Sequence, residues 1–470
     1  MPSTAIVWFR RDLRLHDHPP LVRALAEHDH VVPVFVFDRR LIGGRFPSPG
    51  RTQFLLDSLR ELSAALEERG AQLIVREGLP HEEIAKLAGE VAADAVYFAS
   101  DVSPYARARD QVARAALEQA GVRAVFTPGN FCADFGKLAT KDGRPYTVFS
   151  PFYRSWDVAP RRTVHRAPPE IPGPPSAVPT GALPALRDFG LEPDPRLVDP
   201  IPAGEAEARD RLSAFLGGPL DLYAERHDRL AGGTSVLSPH IHFGNVSVRE
   251  IEERVLRHDG EGPDAFRRQL AWRDFYGSVL WHFPDNAFEP FQERYASLEA
   301  PGEEEHLGAW KEGVTGYPLV DAGMRQLRAT GWMHNRARLV TGSFLVKDLH
   351  VDWRHGEAHF MRHLLCGDEA QNNGNWQWVA SVGVDPAPVF RRMFNPTRQW
   401  ERFDDEGEYV RRWVPELARV PLERLGEPWT MSDAEQEACG CVIGRDYPGP
   451  IVDHADERKR ALALYGAARE

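Results

Sequence analysis

Cysteine is scarce in this chain. Cys132, Cys366, Cys439 and Cys441 are the four cysteines in 470 residues, too few for a disulfide framework. Cys439 and Cys441 form a C-x-C pair, but no second Cys/His pair stands nearby to complete a zinc site. No apolar run reaches the length of a membrane span. The opening MPSTAIVWFRRDLRL has no signal-peptide pattern, so a reducing cytoplasm is the expected setting. Positive charge is also in deficit: 57 Lys and Arg stand against 69 Asp and Glu, a net −12. That excludes a protein coated in positive charge for nucleic acid, although binding depends on a local patch and not on the sum. What remains is an ordinary globular composition, 42% hydrophobic and 27% charged, with length for two or three domains.

The first 130 residues alternate. TAIVWFR, VVPVFVFD, AQLIVREG, AVYFAS and RAVFTP are short apolar runs, and helical patterns separate them. In RTQFLLDSLRELSAALEERG, Leu55, Leu59, Leu62 and Leu66 recur at helical spacing with charges between them. This alternation predicts an α/β domain over 1–130, a doubly wound parallel sheet of five strands, with ligands beyond the carboxyl ends of the strands. Proline and glycine dominate from about 160 to 205, which predicts a surface linker within 131–205. From 206 to 470, segments such as AFRRQLAWRDFYGSVLWHF show helical periodicity without strand alternation. A larger all-α domain is expected there.

Several stretches carry chemistry. TSVLSPHIHFG, from Thr234, offers hydroxyls and backbone N–H groups suited to a phosphate, or a simple helix cap. In AWRDFYGSVLWHF, Arg273 and Asp274 sit among aromatics, either as a pair or as part of a packed face. His334, Asn335, Arg336 and Arg338 crowd into one turn ahead of an apolar run, a solvated face or groups turned towards a ligand. In GDEAQNNGNWQWVASVGVDPAPVFRRMFNP, amides, Trp376, Trp378 and two arginines stand close together.

These stretches, with VWFRRDLRLHDHPPL and VFSPFYRSW, resemble the photolyase/cryptochrome family in order and through nearly the whole chain, most closely the class I cyclobutane pyrimidine dimer photolyases. The resemblance implies an α/β domain, a long linker and a helical domain holding FAD folded in a U shape. Tyr223, Thr234, Ser235, Val236, Leu237 and Ser238 would grip the pyrophosphate and nearby groups, and Arg273 would neutralise part of its charge. Arg338, Asp368 and Asn372 would face the isoalloxazine ring, Asn372 at the position that contacts N5. A neutral amide there looks like a photolyase, where plant cryptochromes carry Asp and insect cryptochromes Cys. It can support a reduced flavin without protonating it. Trp272 and Trp378 would stack on a flipped pyrimidine dimer, with Gln269 and Asn335 among the catalytic positions. Trp376 and Trp353 match the inner members of an electron-transfer chain that photoreduces FAD. Arg391 and Arg392 fall where a phosphate-binding rim is expected, with plain surface charge as the other reading.

The sequence departs from the family pattern at several positions. Ala300 stands where the third tryptophan of the chain is expected, so the chain is interrupted unless Tyr295 or Trp310 substitutes. Gln269 replaces a typical Glu, Leu339 an often-found Met. Cys366 replaces an Asp that pairs with the flavin-facing arginine, leaving Arg338 more positive towards the ring, which should favour an anionic reduced flavin. DVSPYARARD, from Asp101, looks more like the DxxPYxRxRD pattern of relatives with an 8-hydroxy-5-deazaflavin antenna than like the methenyltetrahydrofolate type. Asp38, Arg51 and Asp101 are its candidate contacts.

The function this implies is light-driven repair of cyclobutane pyrimidine dimers, in which excited reduced FAD donates an electron to the flipped dimer and recovers it after the ring splits. Damaged DNA is the expected partner, the chain a monomer, and no metal is required. A signalling cryptochrome is the alternative, against which stand Asn372, both pocket tryptophans and the lack of a long C-terminal extension. Repair of (6-4) photoproducts ranks third, because Asn335 and Leu339 occupy the positions of that group's paired histidines.

Overall fold

The computed structural model describes residues 2–174 and 176–468. Strands β1 (Thr4–Phe9), β2 (His30–Phe37), β3 (Ile74–Glu77), β4 (Ala95–Ala99) and β5 (Arg123–Thr127) pair in parallel in the order β3-β2-β1-β4-β5. Both faces of the sheet are covered, so the strands read as continuous apolar runs. On β1, Ala5, Val7 and Phe9 point to one side, with α1 (Pro19–Glu27) and, beyond the single turn α2 (Arg39–Ile42), the long α3 (Pro49–Glu67). Ile6 and Trp8 point to the other, with α4 (Pro80–Glu90) and α5 (Pro104–Gln119). Proline opens α3 and α5 where no N–H partner is needed, after Ser48 and Ser103, whose hydroxyls accept from Arg51 N and Ala106 N.

The segment expected to be linker is more structured than its composition suggests. Helix α6 (Phe149–Asp157) buries Phe149, Phe152 and Trp156 in a core shared with Leu270 and Phe275 of the helical domain. Pro151 hides this helix from a sequence reading, yet it lies in the first turn, where proline is tolerated. The remainder, 158–204 apart from Pro175, runs along the sheet. Its Thr180 carbonyl accepts from Val75 N of the edge strand β3 (2.5 Å) and its Pro172 carbonyl from Val31 N (2.8 Å), which closes an otherwise open edge.

Beyond it come α7 (Glu205–Leu216), α8 (Tyr223–Arg226), α9 (Ser238–Phe243), α10 (Val248–Val255) and the 22-residue α11 (Glu261–His282). Then follow α12 (Glu304–Glu312), α13 (Pro318–Thr330), α14 (Asn335–Lys347), α15 (Trp353–His363) and α16 (Glu369–Ala380). Helix α16 lies centrally, packed against α11, α14 and α15. The last helix, His454–Ala467, is fastened by His350–Glu457 (2.5 Å), by His454 with Asp348, and by the Tyr465 hydroxyl donating to Ala380 O (2.6 Å). No helix among the described residues is long and apolar enough to cross a membrane.

Gly356 sets the closeness of α15 and α16, because a Cβ there would run into the six-membered ring of Trp376. Gly356→Ala is therefore expected to destabilise the protein by about 1–3 kcal/mol and to shift tryptophan fluorescence. Urea unfolding with an unchanged midpoint would show instead that the ring moves aside freely.

Candidate functional site

The stretch Thr234–Ser238 leads into α9. Thr234, Ser235 and Ser238 are half-buried, and Leu237 is buried in the same core as Tyr223. Val236 has φ +51°, a left-handed conformation that a β-branched residue adopts only under constraint, at a cost of order 1–3 kcal/mol. Across from it, Trp332 Nε1 donates to Ser238 Oγ (3.2 Å), which ties this turn to the start of α14.

His334 caps α14, its Nδ1 accepting from Arg336 N (3.1 Å). Burial lowers its pKa to about 4, so the ring is neutral and carries its proton on Nε2. That buried donor has no partner among the described residues. Arg338 donates through Nε to Met333 O (2.9 Å) and through Nη2 to Cys366 Sγ (3.4 Å). A thiol is a weak acceptor, so most of this charge is left for a ligand, as the Cys366 substitution leads one to expect. Asn372, buried on α16, donates to Glu357 O (3.0 Å), which fixes the amide plane. An unsatisfied buried donor, an under-paired guanidinium and an oriented amide are the kinds of group that suit a polar ring system with carbonyl and nitrogen acceptors. An isoalloxazine fits that description.

Two residues expected at the flavin also make contacts at the domain junction. Asp368 turns to the domain junction, where it accepts from Gln371 N (3.1 Å) as the cap of α16, pairs with Arg11 and lies 3.9 Å from His242 Nδ1. Burial alone would raise its pKa, but Arg11 and His242 hold it well below the usual range. Arg273 reaches the same junction, donating to Asn130 O (2.6 Å) and stacking over Phe131 at 4.9 Å. Arg11, Asp101, His242, Arg273 and Asp368 surround a small void there. The sequence contains this junction as VWFRRDLRL and SPHIHFG, but nothing in either stretch says that they meet.

On the face of α11, Trp272 is half-buried and stacked on Phe149 at 3.6 Å, with the rings 6° from parallel. Trp378 is half-buried with the Arg392 guanidinium over its ring at 4.1 Å. Gln269 and Asn335 are exposed. Arg391 is exposed, but Arg392 is 2% exposed, so its expected place on a phosphate-binding rim is corrected. Its side chain donates to Trp378 O (3.0 Å) and Asp385 O (2.5 Å) and is spent inside the protein. Phe149 was not identified from the sequence; its position in VFSPFYRSW was the available signal.

Trp376 and Trp353 are buried on adjacent helices. Phe360 meets the Trp376 ring edge-on at 4.9 Å and Trp310 meets it at 6.2 Å. Trp310 is fully buried, with Nε1 donating to Thr341 O. Ala300 is exposed and shares a cavity of about 70 Å³ with Trp353, Tyr295 and Tyr465. Of the two candidate substitutes for the missing tryptophan, Tyr295 shares the outer space beside Trp353, whereas Trp310 sits behind Trp376.

Asp38, Arg51 and Asp101 all line a cavity of about 380 Å³ between the domains, beyond the carboxyl ends of β1, β2 and β4. Asp38 is already engaged by Arg40 (2.7 Å) and the Tyr105 hydroxyl, and Arg51 donates to Phe46 O (2.8 Å). Phe37, Phe46, Tyr105 and Arg109 add apolar and cationic walls. Tyr105 and Arg109 belong to the DVSPYARARD pattern and were legible there. The described residues contain no group of three or more side chains arranged for a metal ion.

Comparison with known proteins agrees with this architecture. A family described as DNA photolyase matches residues 5–174, and one described as the FAD binding domain of DNA photolyase matches 266–467. The deoxyribodipyrimidine photo-lyase of Streptomyces griseus is 43% identical over 97% of this chain and 98% of its own length. A class III photolyase from Agrobacterium tumefaciens superposes with a TM-score of 0.93 at 34% identity, covering 100% of this chain and 98% of that one. A Synechocystis cryptochrome gives 0.90 at 30%, covering 99% of each. A two-domain flavoprotein fold is thereby defined. The chain belongs to the DNA photolyase family, and its helical domain is an FAD-binding domain.

Asp274, next to Arg273 on α11, accepts from Cys132 N, Ala133 N and Trp156 Nε1 at 2.9–3.0 Å. Burial raises its pKa from 3.8 to about 6, against the pull of Arg273. The folded state thus holds a proton that the unfolded chain releases, and this contribution to stability falls as pH rises from about 4 to about 6. Asp274→Asn should remove that part of the pH dependence, about 2–3 kcal/mol across the window. Equal slopes in wild type and variant, from denaturant unfolding at several pH values, would refute the assignment.

Proposed function

We propose that this protein is a deoxyribodipyrimidine photolyase, which uses light to split cyclobutane pyrimidine dimers in DNA. The observation that carries the reading is the pair of half-buried tryptophans in the FAD-binding domain, Trp272 and Trp378, each covered on one face by Phe149 or Arg392. Each ring therefore keeps one face for a flipped base, and base–aromatic stacking is worth about 1–3 kcal/mol per base. Bound FAD supplies the light absorption and the electron that the ring cleavage requires. The protein's residues hold and orient. Arg338 and His334 offer donors to the ring system, Asn372 presents a fixed neutral amide, and Thr234, Ser235 and Ser238 offer hydroxyls to the pyrophosphate. Gln269 lies one helical turn before Trp272, exposed, where its amide can hydrogen-bond a pyrimidine edge without supplying a proton. Arg391 remains the phosphate contact of the rim.

The cavity between the domains is read as an antenna site for a planar heteroaromatic chromophore, 8-hydroxy-5-deazaflavin in preference to a folate. Its aromatic walls and the Asp38, Asp101 and Arg51 groups support that choice. A cytoplasmic monomer acting on damaged DNA completes this reading. The high structural similarity to a cryptochrome supports a sensory alternative in the same fold, and one experiment separates the two. Dithionite-reduced protein is mixed with an oligothymidine carrying cyclobutane dimers and illuminated with near-UV and blue light. Recovery of thymine absorbance that needs both light and reduced flavin is expected; bound, photoactive flavin without recovery would assign the chain to the sensors.

Two substitutions divide the roles. Trp376→Phe should slow photoreduction of the flavin severalfold or more while leaving repair by chemically reduced protein intact, because that ring recharges the flavin and touches no substrate; equal loss of both would sink the division. Trp378→Ala should weaken binding to dimer-containing DNA by roughly tenfold or more with the flavin spectrum unchanged, as followed by anisotropy in the dark.

A further inference from the structure

The groups behind the two pocket tryptophans are joined to one another. Arg392 stacks on Trp378 at 4.1 Å and donates to the carbonyls of Trp378 (3.0 Å) and Asp385 (2.5 Å). Asp385 in turn grips the segment before α6: its N–H donates to Thr147 O (2.9 Å), and its Oδ1 accepts from Phe149 N (3.2 Å). Phe149 then lies flat against Trp272. A continuous path thus runs Trp378–Arg392–Asp385–Phe149–Trp272, through elements more than 200 residues apart in the chain. At its centre Asp385 adopts φ +56°, a left-handed conformation that Asp tolerates better than most residues and that contacts on both sides here hold in place. The path has a firm foot: Lys347, fully buried, donates through Nζ to Arg392 O (2.6 Å) and Ser381 Oγ (3.2 Å). A second tie runs on the other side, where Tyr276 lies 5.6 Å from Trp272 and packs so closely on Gly374 of α16 that a Cβ would overlap its ring.

We propose that Arg392, Asp385 and Phe149 are positioning residues that set the separation and tilt of Trp272 and Trp378, and thereby select the shape of lesion the pocket accepts. The inference rests on the reading of these two rings as the pocket walls. It assigns Arg392 to recognition of shape inside the protein and leaves phosphate contact to Arg391. A cation stacked on the hidden face of an indole fixes its plane without occupying the face a base would use. A peptide-to-carboxylate bond between the two walls prevents them from drifting independently.

The test measures, in the dark and on the FAD-loaded full chain, affinities for an oligothymidine with one cyclobutane dimer and for the undamaged strand. Arg392→Met and Phe149→Leu are each expected to lower the ratio of the two affinities by roughly tenfold, with the flavin absorption spectrum retained. Combined, they should lower it by much less than the product of the single effects, because both open the same frame. Asp385→Asn, which keeps an accepting oxygen, should preserve the ratio; Asp385→Ser should not. Arg391→Ala should weaken both affinities alike and reduce their salt dependence. Unchanged ratios in Phe149→Leu and Arg392→Met, or effects that simply multiply, would overturn the frame if Trp272→Ala and Trp378→Ala still abolish discrimination. Should those two tryptophan variants also leave the ratio intact, the pocket reading itself fails. If Arg392→Met does not retain flavin, Phe149→Leu and the Asp385 pair decide the matter.

Discussion

At the junction between the two domains, the ion pair of Arg11 with Asp368 ties the sheet to the start of α16. Arg11 follows the carboxyl end of β1, the central strand of the sheet, and Asp368 is the residue that caps α16. One carboxylate therefore accepts from the first turn of a helix, balances a cation from the other domain and lies beside His242, which burial keeps neutral with a pKa near 4. A partly buried pair of this kind contributes little net stability by itself, but removal of one partner leaves the other charge stranded. Its use is registration: α16 cannot turn about its axis without breaking the contact to the α/β domain. Every functional group that α16 carries inherits that register.

The α/β half was legible because its strands are buried on both faces and its helices are amphipathic, two patterns that local sequence expresses without ambiguity. The helical half was legible as helix but not as packing. Phe149 was read as linker because Pro151 and the surrounding proline-rich stretch mask a helix whose apolar spacing is clear once its partner Trp272 is known. Arg392 illustrates the opposite limit. Two adjacent arginines are indistinguishable in sequence, yet one is exposed and the other is enclosed by Trp378, Asp385 and the carbonyl contact of Lys347. Asp368 and Arg273 were assigned to the flavin through resemblance, and their contacts to Arg11 and Asn130, which span more than 140 residues of chain, were not legible in the sequence.

What the resemblance supplied and the residues could not was the chemistry of the cofactor. What the structure adds is the physical state of groups the resemblance pointed to: an uncommitted His334 Nε2, an Arg338 facing a thiol, an Asn372 held by a backbone carbonyl. Cys366 is informative here: a neutral thiol accepting from Arg338 leaves that guanidinium without a carboxylate partner among the described contacts.

Helix α16 acts as a ruler. Asn372, Trp376 and Trp378 lie on one rigid rod with a rise of about 1.5 Å per residue, so the first and last are about 9 Å apart along its axis. Asn372 and Trp376 share a face, and Trp378 points about two-thirds of a turn away. The spacings among Asn372, Trp376 and Trp378 are therefore backbone constants and not adjustable side-chain reaches. Substitution at the periphery leaves these spacings unchanged. The helix cannot retune one of the three central spacings without altering the other two.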